Sequence, residues 1–559
     1  MSNYNLIAFI IFCFFAASCS SSLHLSRYSY ADKSFSNPTN QKIKYGINGH
    51  SVRVNRGEYT SQYNQFTISE QVELLRKQGV NIYRTDIYID ETGFFNGPDS
   101  PAKFEELVKQ SKASNIEILP AISTYPWMKA YNDSEEPFII GSDWDYFKLV
   151  GYINKHVSEG SEYIQSLEMW KHYYKRGLAT GNLFGEKYGD KLTYYNTGNE
   201  IGYYISKMYP HPDNPIQNPT PQENEEFFFN NYKGDEMNAF FSCEEYARRT
   251  IASVAYVKGL IDGIKSIDNN ARCIISEGKI NFGFFKFLDY MNVAYDIIGW
   301  NWYENNFARP NPKYYGYNVY EELNKIGNGK PIWIVETNRT AGSRNYSGES
   351  VYQAEIDQAI ILRQYVEQFS SLSNLEAVLV YELIDQEYSF ETRWEDYYGL
   401  ITSPFPDKNN ARIKPAFDMY RYSIEEIKHG REDYLYAVLS DLTGTEPENS
   451  VISYWTEKMS KMRNLEFFLK EVHTELNAEF PKVFNKKISK ETVNELISPY
   501  YQKYLKREPL KKESRYWKRH LKKNPDWEAV PVQIMLSEEY WENAVWAGYE
   551  RRTGFNRPD

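Results

Sequence analysis

The sequence contains very few cysteines. Only four of its 559 residues are cysteine, and two of these, Cys13 and Cys19, fall within the first twenty positions. The other two, Cys243 and Cys273, are too few for a disulfide framework, so the fold must depend on a hydrophobic core. With 42% hydrophobic and 25% charged residues, the composition is typical of a globular protein and excludes collagen-like and disordered chains.

An excess of positive charge is also missing. The chain has 64 Lys and Arg residues against 75 Asp and Glu residues, which gives a net charge of −11. Because binding to a phosphate backbone requires a basic face, this balance argues against a nucleic-acid partner and favours an uncharged one. Aromatic residues, by contrast, make up 16% of the chain, and their flat rings suit the faces of sugars as well as protein cores.

Motifs of several other enzyme classes are absent. The eight histidines include no HExxH pair, which argues against a zinc hydrolase. No GxGxxG sequence or P-loop follows a predicted strand, and the GxSxG elbow of serine hydrolases does not occur. We therefore expect neither a metal nor a cofactor.

The chain begins with an apolar segment, Leu6–Ala17, of only 12 residues. A membrane-spanning helix needs about 20 residues, so residues 1–18 are predicted to be a signal peptide. The run Ala16-Ala17-Ser18-Cys19 resembles the lipobox of bacterial lipoproteins, although Ala16 stands where Leu is usual and no Lys or Arg precedes the segment. The resemblance implies a lipid on Cys19 that anchors the protein in the membrane of the bacterial cell envelope, facing the periplasm or the cell surface. An ordinary signal peptide with an incidental cysteine is the alternative.

Short apolar segments alternate with longer helical patterns between residues 42 and 430. We predict eight strands, at 42–48, 81–87, 116–122, 192–197, 271–276, 296–302, 331–336 and 376–382, with helices between them such as 69–78, 243–267 and 350–369. Eight such units predict an α/β fold, a (β/α)8 TIM barrel with its active site at the carboxyl ends of the strands. A doubly wound open sheet is the alternative. Long gaps on both sides of the fourth strand predict insertions, including a loop at 209–224.

Two flanking segments complete the expected domain organisation. Residues 19–41 are polar and aperiodic, as in a flexible tether. Residues 431–559 are predicted to form an all-α domain with two repeats, because Tyr454-Trp455 recurs 62 positions later as Tyr516-Trp517. This pattern resembles a small helical domain of unknown function found in bacterial extracellular proteins, so the partner of this domain stays open.

Two predicted strands end in a glutamate. The fourth ends in Thr197-Gly198-Asn199-Glu200, and the seventh ends in Trp333-Ile334-Val335-Glu336. Both carboxylates would therefore lie at the rim where barrel enzymes keep their catalytic groups. Cleavage of a glycosidic bond needs two carboxyl groups that flank the bond. One glutamate at a strand end is common and usually solvated, whereas this pair is a specific indication of glycosidase chemistry.

The arrangement over residues 42–425 resembles the clan A retaining glycoside hydrolases, with families 5 and 39 the nearest. The resemblance implies that Glu200 is the acid/base and Glu336 the nucleophile. It further implies supporting roles for Asn199 as a donor to the sugar, Tyr303 as a donor to the nucleophile, Asn301 where many members have His, and Arg84 as the cation that keeps the nucleophile ionised. A structural salt bridge with Asp86 or another acid is the alternative role for Arg84.

Three further residues are expected to line the sugar-binding site at the same rim. His50 follows the first strand, Trp127 follows the third, and Tyr381 lies where many clan members carry a sugar-stacking Trp. The implied activity is hydrolysis of a polysaccharide or oligosaccharide with net retention. One alternative is a non-catalytic lipoprotein whose barrel binds glycans or serves in exopolysaccharide assembly. Another is a protein in which the helical domain is the functional part.

Overall fold

A computed structural model gives the fold of the chain. It describes residues 43–53, 62–90, 93–94, 100–123, 139–232, 234–279, 281–303, 318–341, 351–370, 372–386, 394–404, 408–461, 465–476, 490–523 and 529–554. The predicted signal peptide, the lipidation site Cys19, the tether and Trp127 lie outside these residues. The described chain forms two compact units, the first ending at Ile427 and the second beginning at Lys428.

The first unit is built on a closed parallel barrel. Its strands are β1 (Lys44–Gly49), β2 (Ile82–Asp90), β3 (Glu117–Ser123), β4 (Tyr194–Asn199), β5 (Arg272–Gly278), β6 (Ile297–Trp302), β7 (Ile332–Thr337) and β8 (Leu375–Val380). Each strand pairs in parallel with the next, and β1 pairs with both β2 and β8, which closes the sheet. The predicted (β/α)8 TIM barrel is therefore confirmed, and the open-sheet alternative is wrong. A two-residue strand, Gly93–Phe94, pairs antiparallel with the end of β2.

Helices alternate with the strands, as the sequence pattern predicts. Those up to β8 are α1 (Ile68–Gln78), α2 (Pro101–Ala113), α3 (Tyr146–Lys155), α4 (Ser158–Ser166), α5 (Glu168–Tyr188), α6 (Ile201–Met208), α7 (Pro221–Tyr232), α8 (Glu244–Ile267), α9 (Phe282–Tyr290), α10 (Val319–Gly327) and α11 (Val351–Ser370). Helices α3 to α5 fill the long gap before β4, and α6 to α8 fill the gap after it. The loop predicted at 209–224 ends earlier, because Pro221 starts α7, a position in the first turn where proline loses no hydrogen bond.

The inside of the barrel changes from apolar to polar along the strands. Near the strand starts, an interior cluster is formed by Ile82, Leu119, Tyr194, Ile274, Ile297, Trp333, Val335, Ala377 and Leu379. Gly46 on β1 leaves room for this cluster, since a Cβ atom there would lie 2.6 Å from Ile82 Cγ2. Two residues further along the same strands, the inward positions become Asn48, Arg84 and Asn196, all of them buried. The barrel thus has an apolar floor beneath a polar layer at the carboxyl ends.

The second unit is helical. Helix α12 (Pro415–Thr443) contains the boundary, and it is followed by α13 (Asn449–Lys461), α14 (Leu465–Glu475), α15 (Lys490–Leu505), α16 (Lys511–Lys523), α17 (Ala529–Met535) and α18 (Glu538–Thr553). Trp455 in α13 and Trp517 in α16 are buried, whereas the preceding tyrosines, Tyr454 and Tyr516, are exposed. The Tyr-Trp repeat therefore presents one ring to solvent and packs the other in both copies. In the described part of the chain, no helix combines the length and the hydropathy that a membrane span would need.

Candidate functional site

A bulge near the end of β7 directs Glu336 towards the barrel interior. Across the β6–β7 pair, Trp300 lies opposite Ile334 but Asn301 lies opposite Glu336, so β7 has one extra residue here. A bulge of this kind re-aims the side chain that follows it. As a result Glu336 faces Arg84 of β2 across the barrel, with 2.8 Å between Arg84 Nη1 and Glu336 Oε1.

Two donors hold the Glu336 carboxylate, one on each oxygen. Arg84 donates to Oε1, and the hydroxyl of Tyr303 donates to Oε2 at 3.1 Å. Burial raises the pKa of Glu336 to about 7, because desolvation together with the charge of Glu200 outweighs the stabilising effect of Arg84 and Tyr303. Glu336 therefore changes protonation state close to neutral pH.

The polar layer of the barrel fixes Arg84. Its Nε donates to Asn196 Oδ1 at 3.0 Å and its Nη1 donates to Asn48 Oδ1 at 2.8 Å, in addition to the Glu336 contact. Only 2% of the side chain is exposed. Its ion pair is with Glu336, whereas Asp86 binds other partners, His50 and Arg53. Of the two acids considered for a structural salt bridge, Asp86 or another carboxylate, the one that Arg84 contacts is Glu336.

Glu200 lies where β4 passes into α6. Its backbone is in the left-handed region, with φ 52°, and it is the N-cap residue of α6. Asn301 Nδ2 donates to Glu200 Oε1 at 2.7 Å. Burial raises the pKa of Glu200, and this effect is opposed by the Asn301 hydrogen bond and by the charges of Lys207 and Arg84. Burial therefore favours the protonated form of Glu200.

Strand β6 connects the two glutamates. Asn301 contacts Glu200, and Tyr303, two residues later on the same face, contacts Glu336. Trp300 and Trp302 face the other way and are fully buried among the surrounding helices. The alternation predicted for this segment is therefore present, and β6 with the residue that follows it presents one donor to each carboxylate.

Asn199 joins the same cluster. Its Oδ1 accepts a hydrogen bond from Ser276 Oγ at 2.8 Å and a long one from Asn301 Nδ2 at 3.4 Å. With the amide oxygen held in this way, the Asn199 NH2 group is the end of the side chain that is left to donate. The structure thus brings together six of the predicted site residues: Arg84, Asn199, Glu200, Asn301, Tyr303 and Glu336.

His50 occupies a different environment from the one expected of a sugar-binding residue. Its Nδ1 lies 2.9 Å from Asp86 Oδ2, its Nε2 lies 3.5 Å from Glu382 Oε2, and its side chain is almost completely buried. Burial and the nearby Arg53 lower the pKa of His50, while Asp86 opposes this shift. Both ring nitrogens therefore face protein carboxylates, which is the environment of a supporting residue.

Tyr381 lies beside this group at the end of β8. Its ring centroid is 6.2 Å from that of His50 and 5.9 Å from that of Tyr398. Tyr398 in turn lies 5.6 Å from Tyr303, the residue that donates to Glu336. Tyr398 thus contacts the rings of both Tyr381 and Tyr303.

Sequence reasoning missed two buried carboxylates at the rim. Glu277, at the end of β5, is fully buried, and so is Glu382, just after β8. The Glu382 carboxylate binds Tyr63 at 3.0 Å and Gln386 at 2.7 Å, and burial raises the pKa of Glu382 to about 8. Their positions could have identified them, because both glutamates lie at strand ends, as Glu200 and Glu336 do.

The described residues contain no group of three or more His, Cys, Asp or Glu side chains arranged to hold a metal ion.

No protein-family model and no curated protein sequence matches the chain. Matches among solved structures include a GH1 β-glucosidase from Exiguobacterium antarcticum B7, at 12% identity and a TM-score of 0.41, covering 69% of this chain and 98% of that one. A β-glucosidase from Pyrococcus furiosus matches at 11% identity and a TM-score of 0.43, covering 69% and 97%. Xylanase 10B from Thermotoga petrophila RKU-1 matches at 12% identity and a TM-score of 0.36, covering 69% and 94%.

Proposed function

We propose that the chain is a retaining glycoside hydrolase that cleaves O-glycosidic bonds of a polysaccharide or oligosaccharide by double displacement. The observation that supports this proposal best is the pair of carboxylates at the ends of β4 and β7. Glu200 and Glu336 belong to one polar cluster, in which β6 donates a hydrogen bond to each. Retaining hydrolysis requires such a pair in two different roles.

The environments of the two glutamates support a different role for each. Burial raises the pKa of both carboxyl groups, and the charge of Glu200 raises the pKa of Glu336 further, which disfavours the state in which both groups are ionised. The guanidinium of Arg84, 2.8 Å from Glu336, places the negative charge on Glu336. The ionised Glu336 attacks the anomeric carbon and forms a glycosyl-enzyme intermediate.

Before the reaction, Glu200 is the carboxyl group of the pair that carries a proton. It donates this proton to the oxygen of the leaving group as the glycosidic bond breaks, and the resulting carboxylate takes a proton from water in the second step. The second step returns the anomeric carbon to its original configuration. Asn199, with its amide oxygen bound by Ser276, donates through its NH2 group to the sugar hydroxyl beside the anomeric carbon.

The direct test is product analysis over a panel of polysaccharides and oligosaccharides. The purified protein should release sugars from one class of glycan, and proton NMR recorded during the first turnovers should show the product anomer with the configuration of the substrate. Inverted product would contradict double displacement. Binding to a glycan without release of any product would favour the glycan-binding alternative.

Replacing Arg84 with methionine is expected to move the acidic limb of the pH profile upward. An opposite charge in contact usually lowers a carboxyl pKa by about 1–3 units, so the pKa of Glu336 should rise further when the cation is lost. Glu336 must be ionised to attack, so kcat/KM should fall at every pH below the new limb, with a shift of about one unit or more. The measurement is kcat/KM from pH 4 to pH 9.

The matched control for this variant is Arg76→Met. Arg76 is exposed on α1 and pairs with Glu73 of the same helix, so its loss should leave the profile in place. An acidic limb that stays unmoved or moves downward in Arg84→Met would contradict the proposed role of Arg84.

The anchor is a separate proposal that rests on the sequence alone. A lipid on Cys19, followed by the polar residues to position 41, would tether the enzyme to the cell envelope. The mass of the N-terminal peptide of the mature protein tests this, because a peptide that begins at a diacylated cysteine differs from one cut by an ordinary signal peptidase.

A further inference from the structure

Glu277 is a buried carboxylate that the proposed mechanism does not use. It lies at the end of β5 and is fully buried. Its Oε1 accepts a hydrogen bond from the backbone N–H of Gly202 at 2.7 Å, and its Oε2 accepts one from the backbone N–H of Tyr203 at 3.2 Å. Asn281 Nδ2 also donates to Oε2 at 3.4 Å. Glu277 is therefore bound to the first turn of α6, the helix that follows Glu200.

These two backbone groups are the ones that an N-cap side chain normally binds. The N-cap residue of α6 is Glu200, and Gly202 and Tyr203 are the second and third residues of the helix. At an N-cap, the side-chain oxygen of Ser, Thr, Asp or Asn usually accepts from one of the N–H groups at those positions. The Glu200 side chain makes no such bond. Glu277 takes its place, and the Glu200 carboxyl group is left to reach Asn301.

Ser276, the residue before Glu277, contacts both Asn199 and Glu200. Ser276 O accepts from the Glu200 backbone N–H at 2.7 Å, and Ser276 Oγ donates to Asn199 Oδ1 at 2.8 Å. The left-handed backbone of Glu200 is a conformation that non-glycine residues adopt only when the surroundings hold it. Two consecutive residues of β5 thus provide four contacts, two at Asn199 and Glu200 themselves and two at the helix that begins after them.

We propose that Glu277 is a positioning residue for the acid/base: by capping α6 in place of Glu200, it keeps the Glu200 carboxyl group free and directed at the bond to be cleaved. The inference rests on the proposed glycosidase function, since only that function gives Glu200 a proton to deliver. It adds a residue to the site that acts through Glu200 and does not itself touch the substrate.

The first test is a crystal structure of the Glu277→Ala variant. With the surrogate cap removed, the Glu200 carboxylate should fold onto the N–H groups of Gly202 and Tyr203, and its 2.7 Å contact with Asn301 should be lost. If the alanine variant does not fold, Glu277→Gln serves instead, because an amide has one acceptor oxygen and releases one of the two N–H groups. A Glu200 side chain that still binds Asn301 in the variant would overturn the proposal, and this holds even for a protein without glycosidase activity.

The second test separates positioning from a general structural role. For two aryl glycosides of the correct sugar, kcat/KM with a phenyl leaving group should fall by about 30-fold or more in Glu277→Ala, while kcat/KM with a dinitrophenyl leaving group should fall by less than about threefold. The reason is that only the poor leaving group needs the proton of Glu200. Glu277→Gln should give an intermediate ratio. Equal losses on both substrates would mean that Glu277 only stabilises the fold.

Glu355→Ala is the matched control. Glu355 is also a buried glutamate of the barrel unit; it lies on α11 and is paired with Arg412. Its loss should leave the ratio of the two rates unchanged. If the wild-type protein hydrolyses no glycoside at all, the proposed function fails, whereas the crystal structure of the Glu277 variant still decides whether Glu277 frees Glu200.

Discussion

Replacing Glu336 with alanine is expected to abolish turnover of every glycoside, with kcat lower by at least about 10⁴-fold. Without the carboxylate no glycosyl-enzyme intermediate can form, and a good leaving group cannot compensate for a missing nucleophile. The loss should therefore be equally severe for activated and unactivated substrates. Glu336→Gln, which preserves the volume and the hydrogen bond from Tyr303, should be as inactive, because an amide is not a nucleophile at this carbon.

Azide makes this prediction specific to the role of Glu336. In Glu336→Ala the space beside the anomeric carbon admits a small anion, which should attack directly with the help of the Glu200 proton and give a glycosyl azide of inverted configuration. The matched control is Glu376→Ala. Glu376 lies near the start of β8, where it contacts Arg272 and Trp333, and its loss should leave kcat within about threefold. Residual turnover in Glu336→Ala that equals that of the control would place the chemistry elsewhere.

Most of the barrel could be predicted from the sequence. The eight observed strands begin within two residues of the predicted positions. The reason is that strands of a parallel barrel are buried on both faces, so each reads as a short apolar run between helical patterns. The end of the loop predicted at 209–224 was placed less accurately, because a proline can start a helix as readily as it continues a turn.

Local patterns could predict the site residues only where the sequence of a single strand determines their positions. Positions at strand ends identified Glu200 and Glu336, and alternation within β6 placed Asn301 and Tyr303 on one face. The bulge that turns Glu336 inward depends on how β7 aligns with β6, which no local pattern encodes.

Apart from the contacts of Arg84 and Tyr303 with Glu336, which the family resemblance implied, contacts between distant strands were beyond the sequence for the same reason. Asn48, from β1, accepts from Arg84 and donates to the backbone oxygen of Val335 in β7, and these strands are nearly 290 positions apart. Glu277 reads as an ordinary glutamate until its distance to the start of α6 is known. Local sequence patterns therefore indicate the proposed reacting groups more readily than the groups that hold them.

Replacing Glu200 with alanine is expected to give a different defect from the loss of Glu336. A general acid contributes about 10²–10⁴-fold, and only when the leaving group needs a proton. For a phenyl glycoside kcat/KM should fall in that range, whereas for a dinitrophenyl glycoside it should stay within about tenfold of wild type. Glu200→Gln should behave in the same way, because the amide keeps the contact region filled but carries no transferable proton.

The second step of the Glu200 variant should then become rate-limiting. A dinitrophenyl glycoside should give a burst of phenolate equal to the enzyme concentration, followed by slow turnover, because water has lost its base and the glycosyl-Glu336 intermediate accumulates. Azide needs no deprotonation, so it should accelerate this step and yield a glycosyl azide of retained configuration. The same anion gives the inverted product with Glu336→Ala, so the configuration of the azide product separates the two roles. If the configurations are exchanged between the two variants, Glu200 is the nucleophile and Glu336 the acid/base.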